Sequence, residues 1–418
     1  MIGEATGNPA LRVALLTYRG NPFSGGQGVY VRELARALTG LGHQVTVFAG
    51  PPYPDLDHEI ALVRLPSLEL YRPESPFRPQ RPLRDWIDVL EFGVMSAARY
   101  PEPLAFSLRA HRELSRRRRE FDVVHDNQCL GYGLLFLDRM LPLVATVHHP
   151  IGIDLRLELA AEPDRRRRKR LRRWYGFVGM QSRVARRLRR LITVSDAARD
   201  GIVGDMRVDP DRVAVVPNGV DTDLFRPLPD IRRVKGRVVA TVSSDVHLKG
   251  LGPLLAAFAT LRRRGRHLEL VVVGRPRRDG PVPRLLRQLG LDGVVRFAGG
   301  IKGAELVRLY AEATVAVVPS LYEGFSLPAV EAMASGVPLV ATAAGGVPEV
   351  IGGNGESALL VPPGDPLALA DAIEALVDDT GLASRLAAAA RSRAVDCFSW
   401  TRTARLTLTE YERVIRAC

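Results

Sequence analysis

Two glutamates in the stretch YEGFSLPAVEAMASGVPLVAT, residues 322–342, stand eight positions apart in otherwise apolar surroundings, with Gly324, Ser326 and Pro328 between them. A carboxylate accepts hydrogen bonds from hydroxyl groups. The unpaired N–H groups of a first helical turn attract anions. Ser326 fits an N-cap and Pro328 is tolerated in a first turn, so the pattern puts Glu323 in a loop and Glu331 about one turn inside a helix. One carboxylate for sugar hydroxyls, backbone amides for a phosphate and a second carboxylate for ribose hydroxyls would together hold a nucleotide sugar.

Two other stretches offer phosphate chemistry. In VVATVSSDVHLKGL (238–251), Lys249 lies just beyond a strand-like run, where a helix should open. Only four of the 59 basic residues are lysine, at 169, 235, 249 and 302, and a compact ammonium aimed at a diphosphate is a use that Arg does not duplicate. In NPFSGGQGVYVREL (21–34), glycines precede a helix and let backbone N–H groups approach a phosphate. This is not the dinucleotide fingerprint: with Gly26 and Gly28 as its first two glycines, Val31 takes the place of the third.

These residues need a scaffold, and short apolar runs supply it. The first half carries them at 12–18, 44–50, 121–127, 143–149, 191–195 and 213–217. The second half carries them at 238–244, 268–274, 294–300, 315–320, 338–344 and 358–363. Bounded by Gly and Pro and separated by helical segments, they read as buried parallel strands of βαβ units. The expected fold class is therefore α/β, with two doubly wound domains in tandem. The turn-rich stretch 217–236 separates them: an N-terminal domain over 1–218, a C-terminal one over 219–398, and a last helix, 399–418, packing back on the first.

The composition is that of an ordinary globular protein, with 46% hydrophobic and 25% charged residues. No apolar run reaches the ~20 residues of a membrane span, and the N-terminus has no signal-peptide pattern. Three cysteines without C-x-x-C spacing fit a cytoplasmic protein and suggest neither a disulfide framework nor a zinc site. A net charge of +13 calls for an anionic partner. Arginine runs occur at 116–119, 165–173 and 186–190, and the segment 165–190 reads as one basic amphipathic helix. Its Trp174, Tyr175 and Val178 would enter a lipid interface while the arginines pair with headgroups, a peripheral contact with the inner face of an anionic membrane. Nucleic acid is not expected, because no binding module or aromatic stacking pattern accompanies the charge.

The stretch EGFSLPAVEAMASGVPLVAT resembles the E-x7-E signature of the retaining glycosyltransferases of family 4. The likeness extends through SGGQGVYVRELARALTGLGHQVTVF, TVHH, PNGVDTDLF and GGVPEVI in the same order. It implies a GT-B fold, two Rossmann-like domains facing a cleft, and transfer of a hexose from a nucleotide-diphosphate sugar to an unidentified acceptor, whether lipid-linked, a sugar phosphate or a glycan, with no cofactor and no metal. Carried over, Glu323 contacts the donor sugar and Glu331 the ribose. Gly324 belongs to the same donor loop, and the backbone amides of Phe325, Ser326 and Leu327 meet the sugar–phosphate. Lys249 binds the diphosphate, Gly26 faces it from the other domain, and His148 of TVHH lies near the transferred sugar. Catalysis would rest on His148, Lys249 and Glu323, while backbone groups around Gly274 and Gly299–Ile301 surround the base. Where the family carries an Arg five positions before the lysine, this chain has Ser244, and Arg275 is the candidate replacement. The D-x-D letters at 221–223 read as turn capping. The competing readings are a nucleotide-sugar epimerase of the same fold and, more remotely, an anionic-polymer-binding protein.

Overall fold

The computed structural model describes residues 9–21, 26–70, 77–242, 246–277, 280–301 and 303–418. The chain divides into two compact units. The first comprises 1–193, 201–216 and 404–418, and the second 194–200 and 217–403.

The first unit holds a seven-stranded parallel sheet of β1 (Arg12–Thr17), β2 (Gln44–Ala49), β3 (Ala61–Arg64), β4 (Val123–Asn127), β5 (Leu143–Val147), β6 (Leu191–Thr193) and β7 (Val213–Val215), in the order β3-β2-β1-β4-β5-β6-β7. Six of these are the apolar runs of the sequence. The seventh, β3, escaped notice because it is a four-residue edge strand with Ala61 and Arg64 exposed, so it lacks the continuous apolar run of a central strand. Every residue of β4 and β5 is buried, as parallel strands covered on both faces must be.

The second unit holds β8 (Arg237–Thr241), β9 (Glu269–Val273), β10 (Val295–Phe297), β11 (Val315–Val318), β12 (Leu339–Thr342) and β13 (Leu359–Val361), ordered β10-β9-β8-β11-β12-β13 and again parallel. One apolar cluster, with Tyr310, Met333 and Ile351, covers one face of this sheet; another, with Leu254, Phe258 and Ile373, covers the other. In each unit the strand order reverses once, between β1 and β4 and between β8 and β11. Such reversals open a crevice beyond the strands' carboxyl ends, where doubly wound sheets take their ligands.

Asp221 Oδ1 accepts from the amides of Asp223 and Leu224, the turn cap expected of the D-x-D letters. The segment 165–190 departs from expectation: it forms two helices, Arg165–Trp174 and Phe177–Ala185, broken at Tyr175–Gly176. Trp174 packs on Leu68, Leu70 and Met95, its ring 5.3 Å from that of Tyr100, and Tyr175 donates a 2.8 Å hydrogen bond to Glu158. Both aromatic rings are therefore engaged within the protein, while most of the arginines, together with Lys169, are exposed. Among the described residues, no helix is long and apolar enough to cross a membrane.

Candidate functional site

At the second unit's switch point two loops are laced together. Beyond β8 a short 3₁₀ turn, His247–Lys249, runs into Gly250, whose left-handed backbone (φ +69°) starts the helix Leu251–Arg263. A Cβ on Gly250 would fall 1.8 Å from the carbonyl oxygen of Pro319, just past β11, so only glycine allows this approach. Leu321 N then donates to Leu248 O at 2.7 Å. The result is a direct ion pair: Lys249 Nζ donates to Glu323 Oε1 at 2.7 Å, and Ser320 Oγ donates to the same oxygen at 2.8 Å. The Glu323 side chain is about nine-tenths buried and that of Lys249 one-third exposed, so the pair has a wet side.

The helix after Glu323 is Leu327–Ala334, capped by Ser326, whose Oγ accepts from Ala329 N, with Pro328 in the first turn. The amides of Ser326 and Leu327 stand ahead of any intrahelical acceptor. The Phe325 ring is buried edge-on against Phe398, leaving its backbone to the loop. Glu331 lies four residues into the helix beside Tyr310. Burial pushes its carboxyl up to about 8, and among the described residues no hydrogen bond reaches it. From behind, Gly345 and Gly346 press on the same loop. Gly346 N donates to Glu323 O at 2.9 Å, and Ser195 Oγ donates to Gly324 O at 2.6 Å. The glycines of GGVPEVI are thus backbone spacers for the Glu323 loop.

The remaining donor-side candidates are more dispersed. Gly274, past β9, donates its N–H to Ala298 O at 3.2 Å, and the exposed Arg275 reaches Gly299 O at 3.2 Å and lies flat on that glycine. Ile301 packs against the core below. Ser244 lies outside the described residues.

In the first unit, Gly26 (φ +67°) heads the helix Gln27–Gly40. Gly28 has its own reason to be glycine, since a Cβ there would meet the carbonyl oxygen of Asn21 at 2.3 Å. His148 follows β5. Its Nε2 lies 2.7 Å from Asn127 Oδ1, and Tyr30 packs edge-on to its ring at 4.6 Å. Burial and the neighbouring His149 hold its imidazole down at about 3, so it is uncharged at neutral pH.

The residues that hold His148 went unread in the sequence. Gln128 accepts from His148 N at 2.7 Å and donates to His149 O at 3.1 Å, clamping that backbone, while itself adopting a left-handed conformation (φ +56°). Gln181 in turn donates to the Gln128 and Cys129 carbonyls. Behind them His125 bridges Thr146 Oγ1 and Tyr411 OH, each at 2.6 Å. The available signal was the polar run His-Asp-Asn-Gln closing an otherwise apolar strand.

Two parallel doubly wound units, each with a single reversal of strand order, are the architecture of the GT-B fold. The sucrose-phosphate synthase from Thermosynechococcus elongatus superposes with a TM-score of 0.74 at 25% identity, covering 98% of this chain and 100% of that one. Family models match consecutively, Glycosyltransferase Family 4 over residues 24–224 and Glycosyl transferases group 1 over 230–393. The chain is 50% identical to an MMP alpha-(1->4)-mannosyltransferase from Mycolicibacterium hassiacum, over 97% of this chain and 98% of that protein. It is 31% identical to a D-inositol 3-phosphate glycosyltransferase from a Nocardioides species, over 98% and 91% respectively. The chain belongs to glycosyltransferase family 4, and it is a glycosyltransferase.

Proposed function

We propose that the protein transfers a mannosyl group, with retention, from a nucleoside-diphosphate mannose to a sugar hydroxyl, forming an α-(1→4) bond. The sugar and linkage rest on the 50% identity to an enzyme named for that transfer. The site reading rests on the pairing of Lys249 with Glu323 at 2.7 Å. A diphosphate sugar presents an anion beside a set of hydroxyl donors, and this pair presents a cation beside a carboxylate acceptor. Without a donor the two groups satisfy each other. With one, Lys249 turns to the diphosphate and Glu323 accepts from the sugar hydroxyls, while Glu331 takes the ribose and the Ser326–Leu327 amides the phosphate.

The carbon–oxygen bond to the diphosphate breaks as the acceptor oxygen attacks the same face, and the acceptor proton passes to the departing phosphate oxygen. Stabilising charge on that leaving group is then the principal catalytic term. Arg275 supplies the second cation that Ser244 does not, which Arg275→Ala tests through weakened nucleotide affinity.

The acceptor is a soluble glycan or sugar. The arginines of 165–190 give an anionic surface only screened attraction, and the neighbouring Trp174 and Tyr175 rings, being packed internally, add no insertion. Anionic vesicles should therefore leave the protein in the supernatant at physiological salt.

The deciding experiment incubates the enzyme with UDP-, GDP- and ADP-mannose and mannosyl or inositol phosphate acceptors. Free nucleotide diphosphate is measured against glycosylated product, and the new linkage is read by NMR. Equal release of nucleotide and product supports transfer. Conversion of the donor to an epimer without release of nucleotide would establish the epimerase instead.

A further inference from the structure

We propose that Asn127 is a positioning residue that holds His148 as its Nε2–H tautomer, so that the ring offers Nδ1 to the substrate as a hydrogen-bond acceptor only. The inference rests on the reading of His148 as a residue of the active site.

The argument is a chain of donors and acceptors. Thr17 Oγ1 donates its proton to Arg19 O at 3.0 Å, so towards Asn127, 3.5 Å away, it can only accept. The carbonyl of Gln27, also 3.5 Å from Asn127, is an acceptor by nature. Both demand the amide nitrogen, Nδ2, on that side. A flipped amide would set its oxygen against two acceptors, so Oδ1 must face His148. An amide oxygen donates nothing, so the hydrogen on the 2.7 Å contact belongs to Nε2 of the imidazole.

A neutral imidazole with Nε2 protonated keeps a lone pair on Nδ1. No hydrogen bond joins Nδ1 to a described residue, and His148 is only half-buried. The ring therefore orients a hydroxyl by accepting its hydrogen bond, and cannot act as a proton donor at that atom. Burial also disfavours its charged form, so the ring favours accepting a hydrogen bond over taking up the reaction's proton. The backbone is held to the same end: Gln128 grips His148 N and His149 O, and Tyr30 closes the ring's face.

Long-range nitrogen–proton correlation spectra of the ¹⁵N-histidine-labelled enzyme test this directly, because the two tautomers give distinct shifts for Nδ1 and Nε2. The wild type should show His148 with Nε2 protonated. Asn127→Leu should lose that pattern for a mixture. Asn127→Asp, which keeps an oxygen acceptor and the shape, should retain it while moving the titration of His148 upward. The other groups facing this ring among the described residues are Tyr30, His125 and His149, and their own resonances serve as controls. An Nδ1–H wild type, or an unchanged pattern in Asn127→Leu, would overturn the proposal.

Kinetics separate the two readings. If Asn127 acts through His148, the double variant Asn127→Leu/His148→Ala loses no more kcat/KM than His148→Ala alone. Full additivity would count against it. Unimpaired transfer by His148→Ala would instead sink the placement of His148 in the site, whatever the tautomer.

Discussion

At the scale of single residues, the two groups proposed to hold the donor differ in their physics. Lys249 is a fixed charge whose partner in the unliganded protein is Glu323. Lys249→Ala should lower kcat by about two orders of magnitude, as the loss of one preorganised charge contact does. A variant that changed only KM would mean that the lysine binds ground and transition states alike. Glu331 is a conditional charge. Its carboxyl, pushed up to about 8 by burial, is mostly protonated at neutral pH, whereas a carboxylate accepting ribose hydroxyls favours ionisation. Nucleotide binding should therefore release a proton below pH 8, and affinity should rise with pH up to that point and then level. Calorimetry in two buffers of different ionisation enthalpy detects the released proton. Glu331→Gln should abolish the pH slope, and a slope that survived it would assign the proton elsewhere.

At the scale of elements, the site is held by close backbone approaches more than by side chains. Gly250 sits against Pro319, and Gly345, with φ of +56°, would place a Cβ 2.1 Å from the carbonyl oxygen of Glu323. Gly345→Ala combines a left-handed backbone penalty with a forced displacement of that loop. It should cost about 1 kcal/mol or more of stability. It should also raise the KM for the donor, because the loop it moves carries Glu323. Chemical denaturation and donor titration check the two effects separately, and a destabilised variant with unaltered donor KM would show that the loop tolerates the shift.

At the scale of the molecule, the helix Trp400–Arg416 begins in the second unit and ends in the first, where Tyr411 is fully buried. Its hydroxyl meets His125 Nδ1, and His125 Nε2 meets Thr146, so the end of the chain is tied into the centre of the first sheet. Glu410 adds an ion pair to Arg190. Removing the hydroxyl alone leaves a buried imidazole nitrogen without its partner. Tyr411→Phe should therefore destabilise the protein by about 1–3 kcal/mol, measured by urea unfolding. A neutral result would mean that the ring's packing, and not the hydrogen bond, holds the helix.

Much of this was legible in the residues themselves. Twelve strands declared themselves as runs rich in apolar residues, the central ones because a strand covered on both faces is largely apolar. Glu323, Ser326 and Glu331 could be placed on a loop, a cap and a helix, because capping and helical spacing are local rules. Tertiary packing decided what depends on distant partners. The helix Trp86–Ser96 buries Asp88 and Glu91 and exposes Trp86 and Val89, which no periodicity foretells; Arg109 pairs with both carboxylates, Arg81 and the Arg84 amide also donate to Asp88, and the Leu68 amide donates to Glu91. The segment 165–190 breaks into two helices and turns Trp174 inward, since the Leu68–Met95 cluster that receives it lies about a hundred residues earlier in the chain. Lys249 meets Glu323 across 74 residues only because β8 and β11 are neighbours in the sheet. Asn127 meets His148 because β4 and β5 are. Residue types announce which groups can do chemistry, but strand order chooses their neighbours, because contacts between strands far apart in sequence are set by the packing of the whole sheet.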